Sequence, residues 1–316
     1  MSRIISVDSP PGVPTPGGTV VAEYDVPADA WYFEAGGSAT VPLSVLIEIL
    51  LQPCGWLSSY NGFAANRPDD VVFRNLDGTD VVLHKPAVTG TLRVKSSLSR
   101  FAEGAGSTIV FFDVVCTQGD DVVMTMKTAF GFFSPEALKN QVGLRVKPGA
   151  LEALSASAPV SLPYAEISGA PTLAAGRLQV IDRVNFWPGG GEAGLGRLVA
   201  EYDVHPEAWF FKAHFFQDPV QPGSLGLEAM QQAARAASRL AGLAGEGSAF
   251  EPVAVGQTFS WKFRGQVVPT NTRTRSEIEI VSATTDDRGV LIVFKGAFWV
   301  DDLCIYSTDT MGVRVI

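Results

Sequence analysis

The sequence has few of the residues that build metal sites and disulfide frameworks. It contains three cysteines and three histidines among its 316 residues. Cys54, Cys116 and Cys304 lie far apart, without a CxxC pair or a Cys/His ligand spacing. We therefore expect neither a disulfide framework nor a bound metal. Unpaired cysteines fit a reducing cytoplasm, which is the predicted location.

Long apolar runs and clusters of positive charge are also missing. The longest apolar run, residues 41–51, is broken by Pro42, Ser44 and Glu48, and the chain starts without the apolar stretch of a signal peptide. We expect no membrane-spanning helix and no membrane partner. The formal net charge is -9 and no basic stripe occurs, so nucleic acid is not an expected partner.

An internal repeat indicates how the chain is organised. VAEYDVPADAWYFEA at 21–35 matches VAEYDVHPEAWFFKA at 199–213, with ten of fifteen positions identical. A two-residue gap then restores the register, which pairs Pro42 with Pro222, Ser44 with Ser224 and Glu48 with Glu228. A second match joins residues 122–130 to 290–298. Such self-similarity indicates a duplication, so we expect an N-terminal domain over 1–154, a linker over 155–171 and a C-terminal domain over 172–316.

Both copies have the same predicted order of elements. A strand, at 19–26 or 197–204, leads through an aromatic segment to one helix, at about 43–60 or 224–242, and several β segments follow. The first helix, LSVLIEILLQPCGWLSSY, is apolar on nearly every side and should be buried. One long buried helix wrapped by an antiparallel sheet is the hotdog arrangement. The predicted fold class is therefore α+β, a double hotdog, with two independent α+β domains as the alternative.

The C-terminal copy combines a histidine with a glycine at a predicted helix start, which is typical of a catalytic site. The stretch WFFKAHFFQDPVQPGSLGLEAM at 209–230 places His214 shortly before Gly223 and a helix start, where Ser224 is a candidate N-cap. Unpaired N–H groups at a helix start suit a developing oxyanion. Gly223 lets a ligand carbonyl approach because it has no Cβ. The matching residues of the N-terminal copy, Gly36 and Leu43, supply neither the imidazole nor the glycine.

Glu48 and Glu228 each interrupt an otherwise apolar helix segment. A carboxylate in apolar surroundings is costly unless it is paired or protonated, so both are candidate general acids. Gln52 and Gln232 follow four residues later on the same helix face and can hydrogen-bond the acid or a substrate. Polar neighbours favour partial exposure of Glu228, whereas Glu48 is expected to be buried.

The stretch HFFQDPVQPGSLGLEAM resembles the active-site segment of FabA-type β-hydroxyacyl-ACP dehydratases, in which a histidine is followed by DPVxPG and then by GL, Asp and AM. VLIEILLQPCGW and FGFFSPEALKNQVGL resemble dehydratase regions of polyunsaturated fatty acid synthases and iterative polyketide synthases. The resemblance covers most of both halves. It implies a hydro-lyase that converts 3-hydroxyacyl thioesters of an acyl carrier protein to 2-enoyl thioesters.

The resemblance also implies roles for residues. His214 matches the catalytic histidine, Gly223 the glycine that binds the thioester carbonyl, and Glu228 the acid, with Glu in place of the usual Asp. In FabA-type homodimers the histidine and the acid come from different hotdogs, so a fused pair is expected to combine His214 and Gly223 with Glu48, leaving Glu228 as the alternative acid. The expected substrate-binding residues are Gln52, Phe215, Val220 and Ser224.

The implied reaction needs no metal and no organic cofactor, because the thioester itself acidifies the α proton and the phosphopantetheine of the carrier protein holds the substrate. The implied partners are an acyl carrier protein and other domains of a fatty acid or polyketide synthase; a homodimer and isomerisation of the new double bond are left open. A non-catalytic acyl-binding or assembly module and a hotdog acyl-ACP thioesterase are the alternative functions. The aromatic candidates for an acyl tunnel are Trp56, Trp209, Phe211, Phe215 and Phe216.

Overall fold

The computed structural model describes residues 1–65, 70–104, 107–139, 141–145, 158–167, 173–245 and 247–316. Residues 155–157 and 168–171 of the expected linker lie outside these ranges. The chain forms two compact units, and neither is continuous in sequence. The first comprises Met1–Ala30, Val45–Gln141 and Val255–Lys262, and the second comprises Trp31–Ser44, Val142–Ala254 and Phe263–Ile316.

The strands and helices of the described ranges are numbered in chain order. The strands are β1 (Arg3–Asp8), β2 (Thr19–Val26), β3 (Val72–Leu83), β4 (Gly90–Gly104), β5 (Ser107–Gln118), β6 (Asp121–Phe133), β7 (Val160–Pro163), β8 (Arg183–Trp187), β9 (Arg197–Asp203), β10 (Thr258–Phe263), β11 (Arg273–Asp286), β12 (Gly289–Val300) and β13 (Leu303–Val315). The helices are α1 (Trp31–Gly36), α2 (Leu43–Tyr60), α3 (Pro135–Lys139), α4 (Tyr164–Ile167), α5 (Trp209–Ala213) and α6 (Gly223–Leu240). The predicted bounds of β2, β9 and the two long helices are confirmed to within two residues.

The first unit is an antiparallel sheet with the strand order β1-β2-β4-β5-β6-β3-β10. Most of α2 belongs to this unit, and its apolar side chains are buried, with Leu46, Ile47 and Leu50 at most 1% exposed. The prediction that α2 and its Glu48 are buried is wrong for one stripe of the helix surface. On that stripe Glu48 is half-buried and Gln52 is exposed. The two polar side chains lie four residues apart and therefore share that stripe.

The second unit is a sheet with the order β13-β12-β11-β9-β8-β7 and the helix α6, which packs on β9, β11 and β12. This helix is buried from Ser224 to Ser238 although it contains several polar residues. The expectation that Glu228 lies on a partly exposed helix is therefore wrong. Each of these buried polar groups needs a hydrogen-bonding partner, which constrains how the neighbouring segments pack.

The two halves repeat the same order of elements, as a duplication requires. The first sequence match spans β2 and β9, and each is followed by a short helix, a long helix and four strands. The second match joins strands that are not equivalent: β6 lies between β5 and β3, whereas β12 lies between β11 and β13. Every strand of such a sheet has a similar alternating pattern, so a nine-residue similarity does not identify the equivalent strand.

Trp261 connects β10 to β3 within the first unit. Its side chain is fully buried, and its indole Nε1 donates to Asn75 Oδ1 at 3.1 Å. Its ring packs directly on Gly78, because a Cβ added to Gly78 would lie 2.4 Å from the nearest ring atoms. Asn75 in turn donates to Thr128 Oγ1 at 2.7 Å. Residue 78 must therefore be a glycine for the ring to pack on the strand.

We expect Gly78→Ala to lower the free energy of unfolding by about 1–3 kcal/mol, because the added methyl group overpacks a buried ring. Urea denaturation measures the change. Gly104→Ala is the matched control, since a Cβ there meets nothing within 4 Å; it should change stability by less than about 1 kcal/mol. Equal losses in the two variants would contradict this account.

Candidate active site

His214 is held at the end of a short helix in the second unit. It is the C-cap residue of α5, its N–H donates to Phe210 O, and its side chain is half-buried. Its Nδ1 lies 3.0 Å from the carbonyl oxygen of Val220. A carbonyl only accepts, so Nδ1 bears a proton, and whenever the ring is neutral its unprotonated nitrogen is Nε2. Val220, expected to bind substrate, here orients the imidazole through its backbone.

The helix α6 begins at Gly223, nine residues after His214. Its N-cap is Pro222, with φ -53° and ψ 132°, which makes no side-chain capping bond. The N–H groups of Gly223 and Ser224 have no earlier turn to supply a carbonyl and point along the helix axis, whereas the Leu225 N–H donates to Pro222 O at 3.1 Å. A Cβ on Gly223 would fall 2.5 Å from the Phe263 ring. The glycine is thus required by packing as well as suited to binding an oxyanion.

Ser224 is the second residue of α6 and not its N-cap, so that prediction is wrong. The proline at 222 already occupies the cap position with an extended backbone. The Ser224 side chain is 2% exposed, and its Oγ has no hydrogen-bonding partner within the described part of the chain.

Glu228 lies one turn further along α6 and is 1% exposed. Ser44 Oγ donates to its Oε2 at 3.0 Å, and Gln232 Nε2 donates to its Oε1 at 3.1 Å, which confirms the predicted pairing with the glutamine four residues later. Gln232 also donates to Leu178 O at 2.8 Å and accepts from Val180 N–H at 3.2 Å. Both carboxyl oxygens are therefore engaged by side chains of the second unit.

A small cavity of about 40 Å³ brings Glu228 together with Gly36, the residue that matches His214 in the repeat. Pro42 lies in its wall, whereas Leu43, which matches Gly223 in the repeat, is not among the residues that line it. The full lining is Gly36, Gly37, Ser38, Thr40, Pro42, Leu178, Glu228, Arg235, Ala249, Phe250 and Pro252. The lining of this cavity therefore supplies an acid but no imidazole.

Glu48 and Gln52, the two predicted site residues of the first copy, lie on α2 in the first unit. Glu48 is half-buried. Gln52 is exposed and its Oε1 accepts a hydrogen bond from the Met1 amino group at 2.6 Å. The structure thus places the predicted acid on the partly accessible stripe of α2.

The aromatic residues around His214 differ widely in exposure. The ring centroid of Phe215 lies 4.1 Å from that of the imidazole, and Phe211 is buried. Phe216 is 91% exposed, so it does not line an enclosed tunnel in this conformation. Gln217 follows with a φ of 56°, a left-handed value that residues other than glycine adopt infrequently. Trp209 is exposed, and its indole N–H donates to Arg177 O at 3.1 Å.

The other two histidines and the three cysteines contact neighbouring groups of the fold. His84 Nε2 lies 2.9 Å from Thr125 Oγ1, and His205 packs edge-on against Tyr202. The three cysteines are buried free thiols, and burial raises the pKa of Cys54 to about 12.

No helix in the described ranges has both the length and the apolarity to cross a membrane. The same ranges contain no cluster of three or more His, Cys, Asp or Glu side chains suited to a metal ion.

Comparisons of the sequence with known proteins find a family match and a longer relative. Residues 173–309 match the FabA family, described as a FabA-like domain. The chain is 31% identical over 323 residues to a polyunsaturated fatty acid synthase polypeptide of Thraustochytrium sp. (strain ATCC 26185 / S-3). That alignment covers 94% of the chain but 22% of the relative, so the chain spans about a fifth of a longer homologue.

Solved structures with the same fold have low sequence identity. The dehydratase domain from the CurJ module of the curacin polyketide synthase has a TM-score of 0.56 at 13% identity, with 99% of this chain and 96% of that chain covered. An oleoyl thioesterase from Lactobacillus plantarum gives 0.55 at 9%, covering 95% and 97%, and a double hotdog protein from Mycobacterium tuberculosis gives 0.51 at 11%, covering 96% and 99%. The predicted double hotdog fold is confirmed. Residues 173–309 are thus similar to a FabA-like domain, and nearly all of the chain is similar to one segment of a polyunsaturated fatty acid synthase polypeptide.

The contact between His214 and Val220 predicts one tautomer of the ring. At pH about 9, well above the ordinary histidine range near 6.5, we expect nitrogen NMR to show a protonated Nδ1 and an unprotonated Nε2, because only Nδ1–H can donate to a carbonyl. His84→Gln and His205→Gln variants assign the signal. A protonated Nε2 on His214 would contradict the orientation described.

The packing of Phe263 on Gly223 predicts a second effect. We expect Gly223→Ala to lower the free energy of unfolding by about 1–3 kcal/mol, because its Cβ overlaps the ring. A double-mutant cycle with Phe263→Leu measures the coupling in chemical denaturation. The alanine should cost clearly less in the leucine background, and additive losses would show that the ring is not the cause.

Proposed function

We propose, from the FabA-like domain over residues 173–309, that the chain removes water from 3-hydroxyacyl thioesters and forms 2-enoyl thioesters. The observation that carries the proposal is the oriented imidazole of His214, whose Nδ1 is bonded to Val220 O nine residues before the helix start at Gly223. A base with an unprotonated Nε2 and backbone donors at a helix start are two of the three groups that this elimination needs, the third being an acid for the leaving hydroxyl.

In the proposed mechanism His214 Nε2 takes the proton from the carbon next to the thioester carbonyl. The C–H electron pair passes into the carbonyl system, and the Gly223 N–H stabilises the charge that develops on the thioester oxygen. An acid then protonates the hydroxyl on the third carbon, the C–O bond breaks and water leaves. The new C=C bond forms between the second and third carbons.

We assign the acid to Glu48 from the sequence repeat, with Glu228 as the alternative. Against Glu228 stand its two bonded oxygens, which accept from Ser44 and Gln232, and its 1% exposure. A proton donor has to reach its substrate, and an acid enclosed by its own partners is poorly placed to do so.

We further propose that an acyl carrier protein presents the substrate on its phosphopantetheine, and that the chain works beside other domains of a synthase. The much longer homologue, of which the chain matches 22%, supports this arrangement. The dehydration itself needs neither a metal nor an organic cofactor, because the thioester acidifies the proton that His214 removes.

The fold also supports a second candidate, since an oleoyl thioesterase from Lactobacillus plantarum shares it. Mass spectrometry of a carrier-bound 3-hydroxyacyl thioester incubated with the protein separates the candidates. Loss of one water from the bound chain supports dehydration, and release of the free acid supports a thioesterase. An unchanged substrate supports a non-catalytic acyl-binding module.

We expect His214→Ala to lower the dehydration rate by about 10²–10⁴-fold or more, because it removes the base. Glu48→Gln should cause a similar loss, whereas Glu228→Gln should keep most of the activity and lose stability instead. His84→Ala is the matched histidine control and should leave the rate unchanged. If Glu48→Gln kept its activity and Glu228→Gln lost it, the proposed acid would be Glu228 and not Glu48.

A further inference from the structure

Three aromatic rings of the second unit lie against the first turn of α6. They belong to Phe263 at the end of β10, Phe298 of β12 and Tyr306 of β13, and we call them the aromatic platform. All three side chains are buried. The Tyr306 ring centroid lies 4.2 Å from that of Phe263 and 5.0 Å from that of Phe298. Tyr306 is therefore the central ring and contacts both of the others.

The helix packs on this platform through two glycines. A Cβ on Gly223 would lie 2.5 Å from the Phe263 ring, and a Cβ on Gly226 would lie 2.3 Å from the Tyr306 ring. Residues three apart share one face of a helix, so both rings contact the same face of the first turn. Because protein interiors are close-packed, the rings fix how near the helix backbone can approach the sheet.

The other copy of the repeat lacks this arrangement. In the register of the repeat, Gly223 and Gly226 correspond to Leu43 and Leu46, and both leucines are buried. The start of α2 therefore packs through bulky side chains, whereas the start of α6 packs through its backbone. The two glycines occur in the copy that has His214 and not in the copy that lacks an imidazole at that position.

The segment that leads into α6 is held by the same part of the chain. Val220 O accepts the hydrogen bond from His214 Nδ1 at 3.0 Å, and the next N–H, that of Gln221, donates to Val267 O at 3.0 Å. Val267 lies four residues after Phe263 of the platform. Residues 263–267 thus hold both ends of the short span 220–223, which orients the imidazole and begins the helix.

We infer that Tyr306 is a positioning residue for the proposed dehydration, on which this inference rests. Its ring contacts Phe263 and Gly226 and so sets where the Gly223 N–H meets the thioester oxygen. An oxyanion donor acts at about 2.7–3.1 Å from the charged oxygen, and a misplacement of about 1 Å can cost roughly 10²-fold in rate. Tyr306 is 2% exposed, so it acts through the helix backbone and not by contact with the substrate.

The test compares Tyr306→Leu with Tyr306→Phe, measuring kcat, KM and the thermal midpoint with a 3-hydroxyacyl thioester. Assays run well below the lowest midpoint, so that every variant is folded. We expect Tyr306→Leu to lower kcat by roughly 10- to 100-fold with KM within about threefold, because the donor binds the transition state more strongly than the ground state. Tyr306→Phe keeps the ring and should keep kcat within about twofold.

Phe294→Leu is the matched control for a general effect of packing. Phe294 is fully buried in the same unit and lies four residues before Phe298 on β12. We expect it to lower the midpoint about as much as Tyr306→Leu does while keeping kcat within about twofold. Phe263→Leu removes another ring of the platform; it should lower kcat as Tyr306→Leu does, and it provides the same test if Tyr306→Leu does not fold.

The outcomes separate this inference from the proposed function. Wild-type kcat in Tyr306→Leu, or in Phe263→Leu where only that variant folds, would overturn the positioning role and leave the dehydratase proposal intact. Equal kcat losses in Tyr306→Leu and Phe294→Leu would also overturn it, and so would a loss in Tyr306→Phe as large as that in Tyr306→Leu. Absence of dehydration by the wild-type protein would instead refute the proposed function.

Discussion

The buried carboxyl group of Glu228 is the constraint around which the second unit is built. At 1% exposure it is stable only with donors on both oxygens, and Ser44 and Gln232 supply them. Gln232 extends the network to the backbone of Leu178 and Val180. One acid therefore ties the long helix to the segment 31–44 and to the chain that leads into β8, which lie far from it in sequence.

This network explains how a duplicated chain can differ between its copies without losing its fold. Gly36 stands where the other copy has His214, but the wall of its cavity still contains Glu228. The hydrogen bonds that Glu228 accepts give this acid a structural role that does not depend on an imidazole in the same cavity. On the other copy the imidazole remains oriented by the Val220 carbonyl. Of the repeated residues, Glu228 is therefore held by a hydrogen-bond network, whereas His214 is oriented by a single backbone carbonyl.

Much of this organisation can be predicted from the sequence, because it depends on local patterns. The helix bounds, the repeat-related strands β2 and β9 and the Glu228–Gln232 contact all follow from periodicity and spacing. Burial of the two acids cannot be predicted in this way, since the neighbours that cover Glu228 come from residues 31–44 and 173–180. The cap at Pro222 escapes prediction because sequence preference favours a serine with a capping side chain. That the Ser224 hydroxyl has no partner within the described ranges also leaves no signal in the sequence.

The repeated serine of one copy forms a hydrogen bond with the repeated acid of the other. Ser44 and Glu228 are a hydrogen-bonded pair from different copies within one unit. A hydroxyl has one proton to donate, and Ser44 donates its proton to the acid of the other copy. Within the described ranges the hydroxyl of its counterpart, Ser224, has no such acceptor. The same repeated position therefore supplies a structural hydrogen bond in one copy and not in the other.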